Sequence, residues 1–308
     1  MFKRSLSVTI VALVGLLCCC ATAWSKPLHV LVSTFPLYQI TRNLSQGVEG
    51  IEVGLMIPAG LGCPHDYALT PQDMQKLAKA DVLIVNGLGL EEFLGAPLQK
   101  ANARLRLIDS SAGITEVLPL TEEEEHDHDG HAHHGGSNPH LFASPRMAAL
   151  LADNIARALA AELPAQAAAI LANAKAYAAR LNVLADTMAA AGKQLANNRI
   201  VTQHGVFDYL ARDMGLEVVA VVQAHAGQEP SAAEMLGLIA DIKANKAGAI
   251  FTEPQYPQAI GQTIAKEAGI VAARLDPVAN GPEQAPLEYY EQVMRANLTT
   301  LEQHLGHR

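Results

Sequence analysis

The sequence is poor in cysteine. Three of its four cysteines, Cys18, Cys19 and Cys20, stand together near the start, and only Cys63 lies in the body of the chain. With a leader removed after Ala23, Cys63 has no partner for an intramolecular disulfide, so an exported chain must hold its fold by its core alone. Long hydrophobic runs are equally scarce. The apolar stretch Val8 to Leu17 follows Lys3 and Arg4 and ends near the small residues Ala21, Thr22 and Ala23, the pattern of a secretory signal. It is shorter than the roughly 20 apolar residues that span a bilayer, and no later run approaches that length. Residues 1–23 are therefore expected to be a signal peptide and the mature protein to be soluble and periplasmic. Bulky leucine or another cysteine precedes each of Cys18, Cys19 and Cys20, which makes a lipid anchor there the lesser alternative.

Basic charge is also in deficit. Without Lys3 and Arg4 the 22 basic residues fall to 20 against 31 acidic ones, a net charge of −11. That balance argues against nucleic acid and suits cationic ligands. No short internal repeat is present, and no His-Glu-x-x-His helix of the kind that serves zinc hydrolases.

What the chain does have is length and apolar content. Its 308 residues, half of them hydrophobic, fill two cores of ordinary size. Short apolar or β-branched runs recur at Val30 to Ser33, Val53 to Ile57, Val82 to Asn86, Ile200 to Thr202, Val218 to Val222, Ala249 to Thr252 and Val271 to Leu275, alternating with helical patterns. Such alternation implies parallel sheets. Helix starts are marked by the capping boxes Thr70-Pro71-Gln72-Asp73 and Ser231-Ala232-Ala233-Glu234, and by Ser144-Pro145.

Between the two groups of strands lies an Ala- and Leu-rich stretch, Pro145 to Asn197, split by Pro164. Its longer helix, about Ala165 to Leu195, spans on the order of 45 Å, enough to brace two lobes. The expected division is 24–144 for an N-terminal α/β lobe, 145–197 for the helical segment and 198–308 for a C-terminal α/β lobe.

Thr121 to Gly136 is different in kind. Four consecutive glutamates precede His126, His128, His131, His133 and His134, with Asp127 and Asp129 among them. With almost nothing to bury, the segment reads as a loop. It is either a solvated insertion without a task or a set of plentiful, unorganised donors that take up transition metals weakly.

Three further histidines stand in ordered surroundings. His65 follows the Val53 to Ile57 run, His140 precedes the cap at Ser144, and His204 ends the Ile200 to Thr202 run. A lone histidine is usually a structural residue, but His65 and His204 fall just beyond strand ends, where open parallel sheets place their ligand crevices. Glu253, in Thr252-Glu253-Pro254, and Asp276, in Leu275-Asp276-Pro277, share that location. Either carboxylate closes a tetrahedral zinc site, and each is equally readable as a turn residue before proline.

These residues together resemble the metal-binding subunits of bacterial zinc and manganese ABC importers. The resemblance runs through Pro64-His65-Asp66-Tyr67, Asn138-Pro139-His140, Gln203-His204, Glu229-Pro230-Ser231, Thr252-Glu253-Pro254-Gln255 and Leu275-Asp276-Pro277, and covers essentially everything after the leader. It implies two parallel-sheet lobes joined by one long rigid helix, and zinc held by His65, His140, His204 and Asp276. It also implies delivery to a membrane permease driven by a cytoplasmic ATPase, and matches the His-rich loop to one in zinc-type members. Two positions depart from the family pattern. Gly205 stands where an acidic residue usually follows the third histidine, and His225 where histidine is rare. Glu253 and His225 are accordingly kept as supporting partners or alternative ligands.

Three imidazoles favour zinc over manganese, which prefers oxygen donors. A shell filled by four protein ligands leaves no open position for substrate or activated water, so the chain is read as a monomeric carrier and not an enzyme, with no catalytic cofactor. The alternatives are a binding protein of the same type for manganese or another transition metal, a secreted zinc hydrolase, and an adhesin or metal buffer without a transporter.

Overall fold

The computed structural model describes residues 26–62, 64, 67–120, 136–223 and 229–307. Two four-stranded parallel sheets form its frame. The first holds β1 (Leu28–Val32), β2 (Ile51–Leu55), β3 (Val82–Val85) and β4 (Arg106–Asp109) in the order β2-β1-β3-β4. The second holds β5 (Arg199–Thr202), β6 (Glu217–Val221), β7 (Ala249–Thr252) and β8 (Val271–Arg274) in the order β6-β5-β7-β8. The orders correspond strand for strand. In each sheet the chain leaves the first strand to one side, then crosses it to reach the third. That reversal opens a crevice beyond the carboxyl ends of the strands, where parallel sheets bind ligands.

The expected strand runs are all strands, though most begin or end one or two residues away. Strand β3 is buried along its whole length, Val82 to Val85, as a strand covered on both faces must be. The sequence reading has no counterpart to β4. This edge strand pairs with β3 alone, begins with Arg106 and ends with Asp109, and leaves Leu107 54% exposed. Ile108 alone of its four residues is buried, too little to make a hydrophobic period.

Helices α1 (Phe35–Leu44), α2 (Pro71–Lys79) and α3 (Gly95–Ala101) belong to the first half; α6 (Asp208–Met214), α7 (Ala232–Asn245), α8 (Ala259–Ala268) and α9 (Tyr289–Leu305) to the second. The capping boxes form as expected. The Thr70 hydroxyl accepts from Asp73 N while Asp73 accepts from Thr70 N, and Ser231 and Glu234 repeat the exchange.

Between the halves run α4 (Pro145–Glu162) and α5 (Ala167–Gly192), which pack along each other. Helix α5 has 26 residues, about 39 Å at 1.5 Å per residue, and is shorter than the expected 165–195. A 3-10 turn, Pro164–Gln166, precedes it. It stops at Gly192, where any Cβ would press on the backbone carbonyl of Met214. Leu151, Ile155 and Leu159 of α4 and Ile170, Tyr177, Leu181, Leu184 and Met188 of α5 enter one core continuous with both sheets.

After β8 the chain returns to the first half. Gly281 N donates to Ala59 O, and Arg42 and Asn43 of α1 donate to Ala285 O and Leu287 O. Arg180 of α5 binds both buried Glu291 of α9, at 3.0 Å, and Asn43 of α1, at 2.9 Å. The three helices are thus tied by one guanidinium. No helix among the described residues is long and apolar enough to cross a membrane.

Candidate metal centre

His140 lies at the end of a short pairing in which Leu120 N donates to Gly136 O and Asn138 N to Leu118 O. A 3-10 turn, Leu141–Ala143, follows it, and Ser144 caps α4 by accepting from Met147 N, with Pro145 in the first turn. His204 follows β5 in extended conformation, before the 3-10 turn Gly205–Phe207. One imidazole comes from the segment between the sheets and the other from the second sheet. Their centroids are 5.0 Å apart at 81°, and each residue is 1% exposed.

Donor and acceptor roles fix which nitrogen each ring presents. Glu253 Oε1 lies 2.6 Å from His204 Nδ1. A carboxylate accepts, so Nδ1 carries the proton and Nε2 keeps its lone pair. For His140 the partner is Asn138 Oδ1, 2.9 Å from Nδ1. The Asn138 amide is oriented by its other end, which faces two acceptors, Gly205 O at 2.8 Å and Asp208 Oδ2 at 3.0 Å. That end is the NH2 group, Oδ1 therefore faces His140, and His140 too is protonated on Nδ1, with its lone pair on Nε2.

Glu253 is fully buried just past β7, and its second oxygen accepts from Gln255 Nε2 at 2.5 Å. Both of its oxygens are committed to protein donors. Asp276, past β8, is half-buried. Its Oδ1 accepts from Val278 N at 2.8 Å, and no such partner is found for Oδ2 among the described contacts. Burial raises the Asp276 carboxyl above the ordinary aspartate range, the Val278 amide opposes the rise, and repulsion from Glu253 adds to it. The carboxylates thus share one electrostatic neighbourhood. Val278 has φ +63°, a conformation that a β-branched residue adopts only under constraint.

His65, Cys63 and Asp66 lie outside the described residues, as do His225 and the loop histidines His126, His128, His131, His133 and His134. Among the described residues no three His, Cys, Asp or Glu side chains gather as a metal-holding group. The chain on either side of His65 is described. Gly62, at φ +89°, lies against Gln255, whose Cγ would meet a Cβ on residue 62 at 3.0 Å. Since Gln255 donates to Glu253, this brings the loop after β2 to the His204–Glu253 pair.

Several of the contacts that orient the site carry no sequence signal of their own. Gly205 leaves His204 without an acidic neighbour, and the orienting carboxylate comes instead from Glu253, 49 residues on. On the first-half side Asn86 Nδ2 donates to Pro139 O at 2.8 Å, next to His140. Asn86 is in turn held by Glu91, which accepts from Asn86 N, Gly87 N and Ser33 Oγ. The turn includes Gly87, Leu88 and Gly89, all at positive φ.

Burial drives the Glu91 carboxyl up to about 7, against the pull of its three donors. A pKa raised in the folded state contributes stability that is present below the unfolded value near 4.5 and is lost as pH rises through about 7. Glu91→Gln does not ionise. Its stability relative to the parent is therefore expected to improve steadily between pH 5 and pH 8 in the metal-free protein, whatever its constant offset. Urea denaturation at each pH measures this, and parallel curves for the two proteins would contradict it.

The chain matches the family model for "zinc-uptake complex component A, periplasmic" over residues 30–304. It is 32% identical over 280 residues to the zinc-binding lipoprotein AdcA of Streptococcus pneumoniae serotype 4, a match covering 90% of this chain and 55% of that protein. To the high-affinity zinc uptake system protein ZnuA of Bacillus subtilis it is 28% identical over 285 residues, covering 90% and 88%. The chain thus spans about half the length of the AdcA relatives and most of the ZnuA one. Among solved structures it resembles FpvC from Pseudomonas aeruginosa in complex with Mn2+, with TM-score 0.77, 30% identity and coverage of 91% and 98%. A crystal structure of ZnuA gives TM-score 0.77, 27% identity and coverage of 91% and 100%. A match this extensive means that the chain belongs to the periplasmic zinc-uptake complex component A family.

Proposed function

We propose that this chain captures one zinc ion outside the cytoplasm and hands it to an ABC-type importer, with His65, His140, His204 and Asp276 as ligands. The observation that carries the reading is the pair of buried imidazoles, 5.0 Å apart, each with Nδ1 facing an acceptor, which puts the lone pair a metal takes on Nε2. Asp276 supplies oxygen from the half-buried end of β8. Imidazole donors fit zinc, copper or nickel and disfavour manganese. Relatives named for zinc binding and zinc uptake agree with that choice.

The leader 1–23 would deliver the protein to the periplasm. Lobes 24–144 and 198–308 would flank the helical segment 145–197, with α5 as a brace that limits hinge motion. The partners would be a permease and its ATPase, with the carrier monomeric. A filled four-ligand shell leaves no position for an activated water, consistent with a family of carriers and not enzymes.

Titration of the metal-free protein against a chromogenic chelator tests the reading. One zinc per chain should bind tightly and manganese much more weakly. Manganese binding as tight as zinc, or no tight zinc, would sink it.

The base of the His-rich segment is a short antiparallel pairing, Pro119 with Ser137. Its two ends therefore meet, and two glycines can replace residues 121–135 without stretching the chain. The shortened protein should keep the tight zinc and lose only weak additional ions, counted by equilibrium dialysis. Loss of the tight ion would make the segment part of the primary site.

A further inference from the structure

We propose that Asn138 is a positioning residue that turns His140 and His204 into one preset pair, an inference that rests on the metal site proposed above. Asn138 is fully buried, and its side chain works at both ends. Oδ1 accepts from the backbone N of His140 at 2.9 Å and from its Nδ1 at 2.9 Å. Nδ2 donates to Gly205 O at 2.8 Å and to Asp208 Oδ2 at 3.0 Å. Its backbone is fixed as well, since Asn138 N donates to Leu118 O and the Tyr209 hydroxyl donates to Asn138 O at 2.7 Å.

The consequence is geometric. The residue that sets the His140 tautomer also grips the turn directly after His204, 67 positions away in sequence. His140 cannot rotate or shift its proton without breaking a bond of the same amide that holds Gly205. The two Nε2 atoms are therefore kept at a set separation across the junction of the two halves, which lowers the ordering cost of chelation. Only an amide does both tasks. A carboxylate accepts from His140 but turns its other oxygen towards two acceptors, Gly205 O and Asp208, and an aliphatic side chain does neither.

That asymmetry separates the roles experimentally. In metal-free protein, long-range 1H–15N correlation spectra of the imidazoles, with His140 assigned by its loss in His140→Gln, should show the Nδ1-protonated form. The same form should persist in Asn138→Asp and give way to a mixture of tautomers in Asn138→Ala. Zinc affinity, measured by chelator competition, should fall about tenfold in Asn138→Ala, the lower end of the range for partners of ligating histidines. It should also fall in Asn138→Asp, despite the retained tautomer. The double variant Asn138→Asp/Asp208→Asn places an amide donor at 208 opposite the carboxylate at 138, and should regain at least half of the lost affinity on a logarithmic scale.

A double variant no tighter than Asn138→Asp would overturn the proposal. So would Asn138→Ala with parental tautomer and affinity, whereas general loss of packing predicts no rescue by the swap. The tautomer is read without metal, so a parent protein that fails to bind zinc would refute the proposed function while leaving the test of Asn138 intact.

Discussion

Alanine in place of His140 or His204 is expected to weaken zinc binding about 100- to 1,000-fold. Protein zinc sites of four ligands bind with on the order of 10–16 kcal/mol, so one ligand carries about 2.5–4 kcal/mol, and each 1.4 kcal/mol is a factor of ten. The two substitutions differ in their effect on the fold. Removing the His204 ring leaves Glu253 buried and facing a cavity, having lost its donor at 2.6 Å, so the metal-free variant should also be less stable. Removing the His140 ring leaves Asn138 Oδ1 still accepting from the backbone N of residue 140, so folding should suffer less than in His204→Ala, which strands a buried carboxylate. His140→Ala is therefore the cleaner measurement. Chelator competition paired with urea denaturation of the metal-free proteins separates the two effects, and a loss of less than about threefold for His140→Ala would remove it from the ligand set.

The parts of the fold legible in the sequence are those set by neighbours along the chain. Caps at Thr70, Ser144 and Ser231 were readable because the hydroxyl bonds a backbone N–H only three residues on. Strands buried on both faces, such as Val82 to Val85, were readable as apolar runs. Their ends were less so. Met56 and Ile57, expected to close β2, lie beyond it, yet are buried in their own right, so hydrophobicity continues where pairing stops. Strand β4 was not legible because only Ile108 of its four residues is buried, and its place is set by pairing with β3.

The site divides in the same way. Its histidines and carboxylates stand out as residue types at strand ends, a local signal. Their orientation depends on contacts made far along the chain: Glu253 on His204, Asn138 on Gly205, Asn86 on Pro139. Gly205 shows the difference most clearly. In sequence it is a missing acidic neighbour, while in space the carboxylate arrives from β7, the strand paired with β5. Parallel pairing makes that substitution possible, because it brings the carboxyl ends of both strands to the same edge of the sheet.

Asp276→Ala is expected to weaken zinc binding about thirtyfold, less than loss of either imidazole but more than the roughly tenfold loss expected for Glu253→Ala. The ranking follows from what the two carboxylates already do. Glu253 spends one oxygen on His204 Nδ1 and the other on Gln255, so it acts by orienting and polarising an imidazole, a task worth about ten- to a hundredfold in affinity. Among the described contacts Asp276 accepts from the Val278 amide through Oδ1, and Oδ2 is the oxygen proposed for the metal. Water can fill the vacated position and recover part of the ligand's share, hence a smaller loss than for histidine. The fold should respond in the opposite sense. In metal-free protein Asp276 is a half-buried carboxyl whose pKa is raised by burial and by repulsion from Glu253, so its charge disfavours the folded state as pH rises through that raised value. Replacing it relieves that repulsion at the cost of one hydrogen bond to strained Val278, a loss of about 1 kcal/mol. At pH 8, Asp276→Ala should therefore match the metal-free parent in urea denaturation while binding zinc markedly less well, the pattern of a residue kept for its ligand and not for its fold. Equal zinc affinity for Asp276→Ala and parent, with a large loss in Glu253→Ala, would transfer the oxygen ligand to Glu253.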